Sequence, residues 1–412
     1  MAPVPLRANR DFRLLWVGGL FSALASQLLA LAAPLLVLAQ TGSATAAGLV
    51  GSVSAVTLLV TALPGGAVAD ATERRRLMLA CQLGAIAVAG LLAVAVAAGR
   101  SPVVLVTVTN SAIIALGALH SPATVALLRA AVPADDLATA TARMQARTAA
   151  ARLVGPLVGG ALFGMSPALP FVVTVVGLAL SIGCLLLVRA RAAPRPGAAA
   201  PLAPREVVGG LVFLWRQAYL RTILVIFGTG MNMAFSGVML ASIATTAGAD
   251  HSGKSSGVVV ALTAGGSLVG SLLAPRLRVQ ERPQTVIVLC CWVCAVLVPA
   301  LALTRAPLVI GLLLAPCMFV AALGNVAFAT TMLLLTPPDL TGRVQSAAGF
   351  LSMIAQPVGP LVGGVLLDRI GAPATFGVFA AVMAVAAVVV TVSPSAPPVA
   401  SLAATAVRRD RG

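Results

Sequence analysis

Apolar residues fill this chain in blocks of roughly 18 to 25, each long enough to cross the hydrocarbon of a bilayer as a helix. Glycine, proline and arginine punctuate the blocks. Twelve spans are predicted, at 14–39, 46–69, 77–98, 103–127, 141–164, 168–188, 220–246, 254–275, 284–303, 307–333, 343–367 and 373–392. The first block is too long for a signal-peptide core and runs on into further spans, so it reads as a retained first helix. Polar positions gather in short connections except between Arg189 and Arg216, where Pro194, Pro196, Pro201 and Pro204 stand among alanines and arginines. That composition suits an exposed linker ending in an interfacial helix around Val207 to Trp215.

The second half of the pattern repeats the first. Val154 to Leu162 reads VGPLVGGAL, and 204 positions later Val358 to Leu366 reads VGPLVGGVL. The same offset pairs Gly66 with Gly270, Arg74 with Arg278, Pro133 with Pro337 and Asp135 with Asp339. A duplicated hydrophobic chain is the sequence form of a two-fold transporter with its site between the halves. The expected fold class is therefore an all-α membrane protein, with 12 transmembrane helices in two pseudo-symmetric six-helix bundles. Residues 1–188 form the first bundle, 189–218 a linker, 219–395 the second bundle and 396–412 a tail.

Composition agrees: of 412 residues 59% are hydrophobic and 9% charged, whereas about a quarter are charged in an ordinary soluble domain. Mean hydropathy is +1.05. The net charge of +16 invites a nucleic-acid reading, but its placement argues otherwise. With the N-terminus in the cytoplasm, only Arg100, Lys254, Arg305 and Arg369 fall in outer loops, and Arg152 lies within a span. The remaining basic residues sit on the inner side, as the positive-inside rule requires. Both termini are then cytoplasmic, and no nucleic-acid motif accompanies the charge. Few lysines and many Ala, Val, Arg and Pro residues point to a GC-rich bacterial genome. The six cysteines (Cys81, Cys184, Cys290, Cys291, Cys294, Cys317) all fall inside spans and read as packing residues rather than metal ligands or disulfides.

Polar groups inside the membrane are costly, so those that persist are the functional candidates. Every acidic residue lies at or outside a predicted helix end, leaving no mid-membrane carboxylate. The central ionisable groups are Arg152 in span 5 and His120 in span 4. The repeat sets Gln356 opposite Arg152 and Asn325 opposite Ser121, next to His120. His120, Asn110 and Asn325 are the leading polar candidates, and Gln27 and Asn232 rank after them. A histidine there suits proton carriage, because its reference pKa lies near 6.5. Arg152 equally suits bonding to backbone carbonyls near Pro156, and His120 a neutral packing role.

The connecting motifs resemble the major facilitator superfamily over essentially the full chain. Gly65 to Arg76 reads GGAVADATERRR, and Gly66, Asp70, Arg74 and Arg75 match the family pattern G-x-x-x-D-R-x-G-R/K-R/K; Ala71 and Glu73 depart from it. In the family that aspartate helps hold one of two alternating states. In the second half Ala274 stands where Asp70 would, so the resemblance implies a one-sided latch. GPLVGG in span 5 is similar to the family's exporter element. Gly155 and Gly159 share one helical face, Gly160 adjoins them, and Pro156 bends the helix. Span 11 repeats this with Gly359, Pro360, Gly363 and Gly364. The runs NRDFRLLW from Asn9, LAQTGSA from Leu38, SPATVALL from Ser121, VPADDLATA from Val132, ARLVGP from Ala151 and TPPDLTGRVQS from Thr336 resemble the bacterial branch of siderophore and macrolide exporters, the transmembrane secretion effectors.

The resemblance implies a monomeric, multi-pass secondary transporter of the bacterial cytoplasmic membrane. It would export small, largely apolar molecules by alternating access, driven by protons. Anionic cargo attracted to Arg152 fits the few carboxylates, and a nutrient-importing proton symporter of the same fold is the alternative. No G-x-x-x-x-G-K-S/T loop is present for ATP, and no cofactor or metal is expected. Two histidines and peripheral carboxylates do not assemble an enzyme's acid–base cluster. A receptor would carry a larger loop domain or tail.

Overall fold

A computed structural model describes residues 9–190, 211–250, 253–279, 281–337 and 340–393. Residues 191–210 of the expected linker and the expected tail, 396–412, lie outside these, as does Asp339. The side chains of Gly66 and Asp70 are also outside the described set, although both positions are helical.

Lipid offers no partner for a peptide group, so a spanning segment must satisfy its backbone internally. The chain does this with helices α1 (Arg10–Thr41), α2 (Ala44–Ala71), α3 (Arg74–Ala97), α4 (Val103–Ala131), α5 (Leu137–Met165) and α6 (Leu169–Leu187). Helix α7 runs through Ala218–Ile223, a π-helical segment Leu224–Met231 and Asn232–Asp250. Then come α8 (Gly253–Leu273), α9 (Pro283–Ala300) and α10 (Pro307–Leu335). Helix α11 comprises Thr341–Ile354 and 358–370, and α12 covers 372–392. Among the described residues 11 continuous helical stretches are long and apolar enough to span a membrane, the last being Arg343–Val392. Gly371 breaks that stretch with φ 75 and ψ 172, a left-handed conformation that glycine adopts without a Cβ clash. Twelve spans result, as the hydropathy blocks predict.

Helix ends follow the local sequence. Asn9 accepts from the Phe12 N–H and Ser43 from the Ala46 N–H, side-chain caps that each contribute about 1 kcal/mol. Gly42 at φ 66 closes α1 by donating to the Leu38 carbonyl. The described part of the expected interfacial helix, 211–216, is helical, with Leu214 buried and Trp215 exposed.

The chain forms two compact units, Met1–Pro201 with Ile243–Ala261, and Leu202–Ser242 with Leu262–Gly412. In the first, α1 packs on α5 and α6, and α3 lies against α4 and α6. In the second, α9 lies against α10 and the long helix 358–392. There Gln284 donates to the Val390 carbonyl at 2.9 Å and the Trp292 indole to Thr391 Oγ1 at 3.1 Å. Phe171 and Phe376 are fully buried in their respective units. Gly270, the repeat partner of Gly66, sits against the Phe319 carbonyl of α10, so a side chain there would collide with backbone. Outward positions such as Val94, Val104 and Leu272 are exposed apolar residues, as a lipid-facing surface demands.

Candidate functional site

A polar cluster lies inside the first unit. Gln82 of α3 places its Nε2 3.0 Å from His120 Nε2 and donates to Ser181 Oγ of α6 at 2.9 Å. Thr124, one turn after His120, donates to the His120 carbonyl at 3.1 Å and lies 3.3 Å from its Nδ1. Gln82 and His120 bound a cavity of about 40 Å³ with Ser22, Ser26 and Thr174, room for one or two waters. The Gln82 side-chain carbonyl oxygen is buried and has no partner among the described residues.

The second unit holds a larger cavity, about 320 Å³, and it gathers three sequence-predicted residues: Asn232, Asn325 and Gln356. The π-helical segment builds one wall with Phe227 and Met231. A π turn leaves its carbonyls out of ordinary α register, and side chains repair this. Asn232 donates to the Gly228 carbonyl at 2.7 Å, and Thr229 donates to the Leu224 carbonyl at 3.1 Å. Met239, Met318, Cys290 and Cys294 complete an apolar, sulfur-rich lining.

Other predicted residues lie elsewhere. Asn110 is buried and donates to Ser54 Oγ of α2 at 2.7 Å, a tie between helices. Gln27 packs against Gly155. Arg152 is exposed on α5 and lines neither cavity.

The glycines of α5 face two helices. Gly155 and Gly159 meet Gln27 and Leu28 of α1, while Gly160 meets the Gly253 carbonyl of α8 and Gly257 meets the Pro156 carbonyl. All of these contacts lie within the first unit. Two backbones touch there, an approach only small residues permit. In the second unit Gly359 abuts Ser236 and the Met233 carbonyl, and a Cβ on Gly363 would stand 2.7 Å from the Gly237 carbonyl. Pro360 and the buried Gly364 continue that helix.

At the α2–α3 turn Arg74 is buried, Arg75 donates to the Leu186 carbonyl at 2.6 Å, and Arg76 pairs with Glu73 at 2.6 Å. The NRDFRLLW run is a set of ties. Asn9 donates to the Ala131 carbonyl at 2.8 Å, Asp11 accepts from the backbone of Arg189 and Ala190, and Trp16 donates to the Arg143 carbonyl.

Sequence reasoning missed Gln82, hidden among apolar neighbours, and Arg147, counted with the inner-side flank. Arg147 folds back on α1, donating to the carbonyls of Leu15 and Trp16 at 3.3 Å over Gly19. A glycine opposite a membrane-edge arginine is the pattern that would have found it. The π segment leaves no comparable trace.

The family model described as Major Facilitator Superfamily matches residues 15–360. The chain is 28% identical over 367 residues to the multidrug efflux pump Tap of Mycolicibacterium fortuitum, covering 83% of this chain and 86% of that protein. It is 28% identical over 365 residues to Tap of Mycobacterium tuberculosis (strain CDC 1551 / Oshkosh), covering 83% and 84%. Among solved structures it is similar to the nucleoside transporter NupG, with a TM-score of 0.72 at 13% identity over 93% of this chain and 99% of that one. A bacterial homologue of the human lysosomal transporter Spinster gives 0.68 at 13% identity over 93% and 94%. At such identity these structures bear on fold alone.

Proposed function

The chain belongs to the Major Facilitator Superfamily, and from that premise, which makes it a multi-pass membrane transporter of small molecules and not an enzyme, we infer that it exports drug-like or natural-product molecules across the bacterial plasma membrane. Two-state alternation performs the export, and the inward proton gradient drives it. The protein works as a monomer with both termini cytoplasmic, in keeping with its inner-side arginines. Relatives named as multidrug efflux pumps support the outward direction.

The observation that carries this reading is the backbone contact of α5 with α8 at Gly160, Gly253, Gly257 and Pro156. Pro156 lacks an N–H, so the Arg152 carbonyl loses its helical donor and α5 is free to bend at the contact. Small residues present no interlocking side chains, so one helix slides on the other at low cost. His120 is the coupling residue in this scheme. Its link through Gln82 to Ser181 joins α3, α4 and α6, so a change at the imidazole reaches three helices at once.

Everted membrane vesicles energised to an acid interior test the reading. Wild-type protein should load a fluorescent drug into the vesicles, and a protonophore should abolish loading. Faster net uptake by intact cells on expression would instead establish an importer.

A further inference from the structure

We propose that the cavity inside the second unit is a cargo subsite selective for uncharged, polarisable aromatic molecules that carry a hydrogen-bonding group. The proposal rests on the transport reading above and specifies its cargo class.

Three observations converge. First, among the described residues the cavity wall contains no carboxylate, amine, guanidinium or imidazole. A cargo bearing a fixed charge would leave water without meeting an opposite charge, which a low-dielectric site penalises heavily. Neutral cargo avoids that cost.

Second, the surface is soft. Met231, Met239 and Met318 stand with Cys290, Cys294 and the rings of Phe227 and Phe235. Thioethers are polarisable, favour contact with aromatic rings and repack around different shapes. The sulfurs do not make a metal centre: among the described residues no three His, Cys, Asp or Glu are grouped to hold an ion. Their chemistry is therefore contact, not coordination.

Third, polar groups stand ready. Asn232 spends its Nδ2 on the Gly228 carbonyl, which leaves its Oδ1 as an acceptor. Gln356 is engaged through its backbone, whose carbonyl accepts from Ser236 and whose N–H reaches Met353. Among the described residues the side-chain amides of Asn325 and Gln356 have no hydrogen-bond partner, and each offers both donors and an acceptor to a guest. The π segment puts Phe227 and Met231 on the wall that the next residue, Asn232, also lines, and insertions of this kind recur at functional sites. Gly324 lets the Phe227 ring seat against α10, because a Cβ there would come within 2.6 Å of that ring.

Binding and transport measurements on the full-length protein separate this proposal from the export reading. The probes are Nile red, a neutral aromatic dye, and ethidium, a permanent cation. Detergent-purified wild type should bind Nile red and discriminate against ethidium. The double variant Asn325→Ala/Gln356→Ala should weaken Nile red binding about tenfold, the loss expected from ligand hydrogen bonds. Gln356→Glu changes little in shape but adds a carboxylate, so it should weaken Nile red and strengthen ethidium. A matching melting temperature for each variant shows that the fold is retained. Wild type that binds both dyes equally, or variants that leave both affinities unchanged, would overturn the proposal. Retained Nile red binding with no energised transport in vesicles would sink the export reading and leave the subsite standing.

Discussion

Gln82 and His120 share a hydrogen bond of 3.0 Å between α3 and α4, and the same Gln82 amide nitrogen donates to Ser181 on α6. One side chain thus ties three helices around the only histidine within a predicted span. Its own carbonyl oxygen is buried and has no partner among the described residues.

Replacing Gln82 with Leu should leave His120 and Ser181 without that partner in a buried site. The expected cost is about 1–3 kcal/mol, read as a lower melting temperature of the purified protein. Efflux through wild type should fall as external pH rises, because the inward proton gradient that drives it shrinks. His120→Ala should make efflux insensitive to external pH. An unchanged pH profile would remove His120 from proton coupling.

Gly160→Val should reduce efflux at least tenfold, because the new side chain meets the Gly253 carbonyl and holds α5 away from α8. Overpacking of this kind costs about 1–3 kcal/mol. Vesicle loading, normalised to protein in the membrane, measures the activity. A variant that folds, inserts and pumps at the wild-type rate would show that close backbone contact is dispensable.

Thr229→Val keeps the side-chain shape but loses the hydroxyl that reaches the Leu224 carbonyl at 3.1 Å. With that bond gone, the π turn loses about 1 kcal/mol of support. Nile red affinity should drop a few-fold as Phe227, Met231 and Asn232 shift register. Titration by fluorescence checks this, and an unaltered Kd would mean the segment holds its form without Thr229.

Arg147→Leu should lower stability by about 1.5–3 kcal/mol, the range for hydrogen bonds made by a charged donor, since the Leu15 and Trp16 carbonyls lose it. Lys at this position should recover only part of the loss, because its shorter side chain brings the ammonium less close to the point where Arg147 Nη1 serves both carbonyls. Thermal unfolding of both variants in detergent separates these outcomes.

Much of the architecture was legible in order along the chain. The apolar blocks marked the spans because lipid forces each segment to close its own hydrogen bonds. The offset of 204 exposed the duplication, and the glycines of GPLVGG marked a close helix contact because only small residues let backbones touch. Asn232, Asn325 and Gln356 stood out because amides are rare in such surroundings, and they meet in one cavity. Gln82 and Arg147 did not stand out. The value of each depends on a residue far away in sequence, Ser181 for one and Leu15 for the other.

Composition and local spacing set the solvent, the number of helices, the duplicated plan and the small-residue faces. Tertiary structure alone decided which polar side chains find each other, that α7 widens into a π turn, and that methionines and cysteines from separate helices line one space. The division has a physical cause. Hydropathy and backbone sterics act over one helical turn, whereas a hydrogen bond or a cavity wall needs partners that only packing brings together.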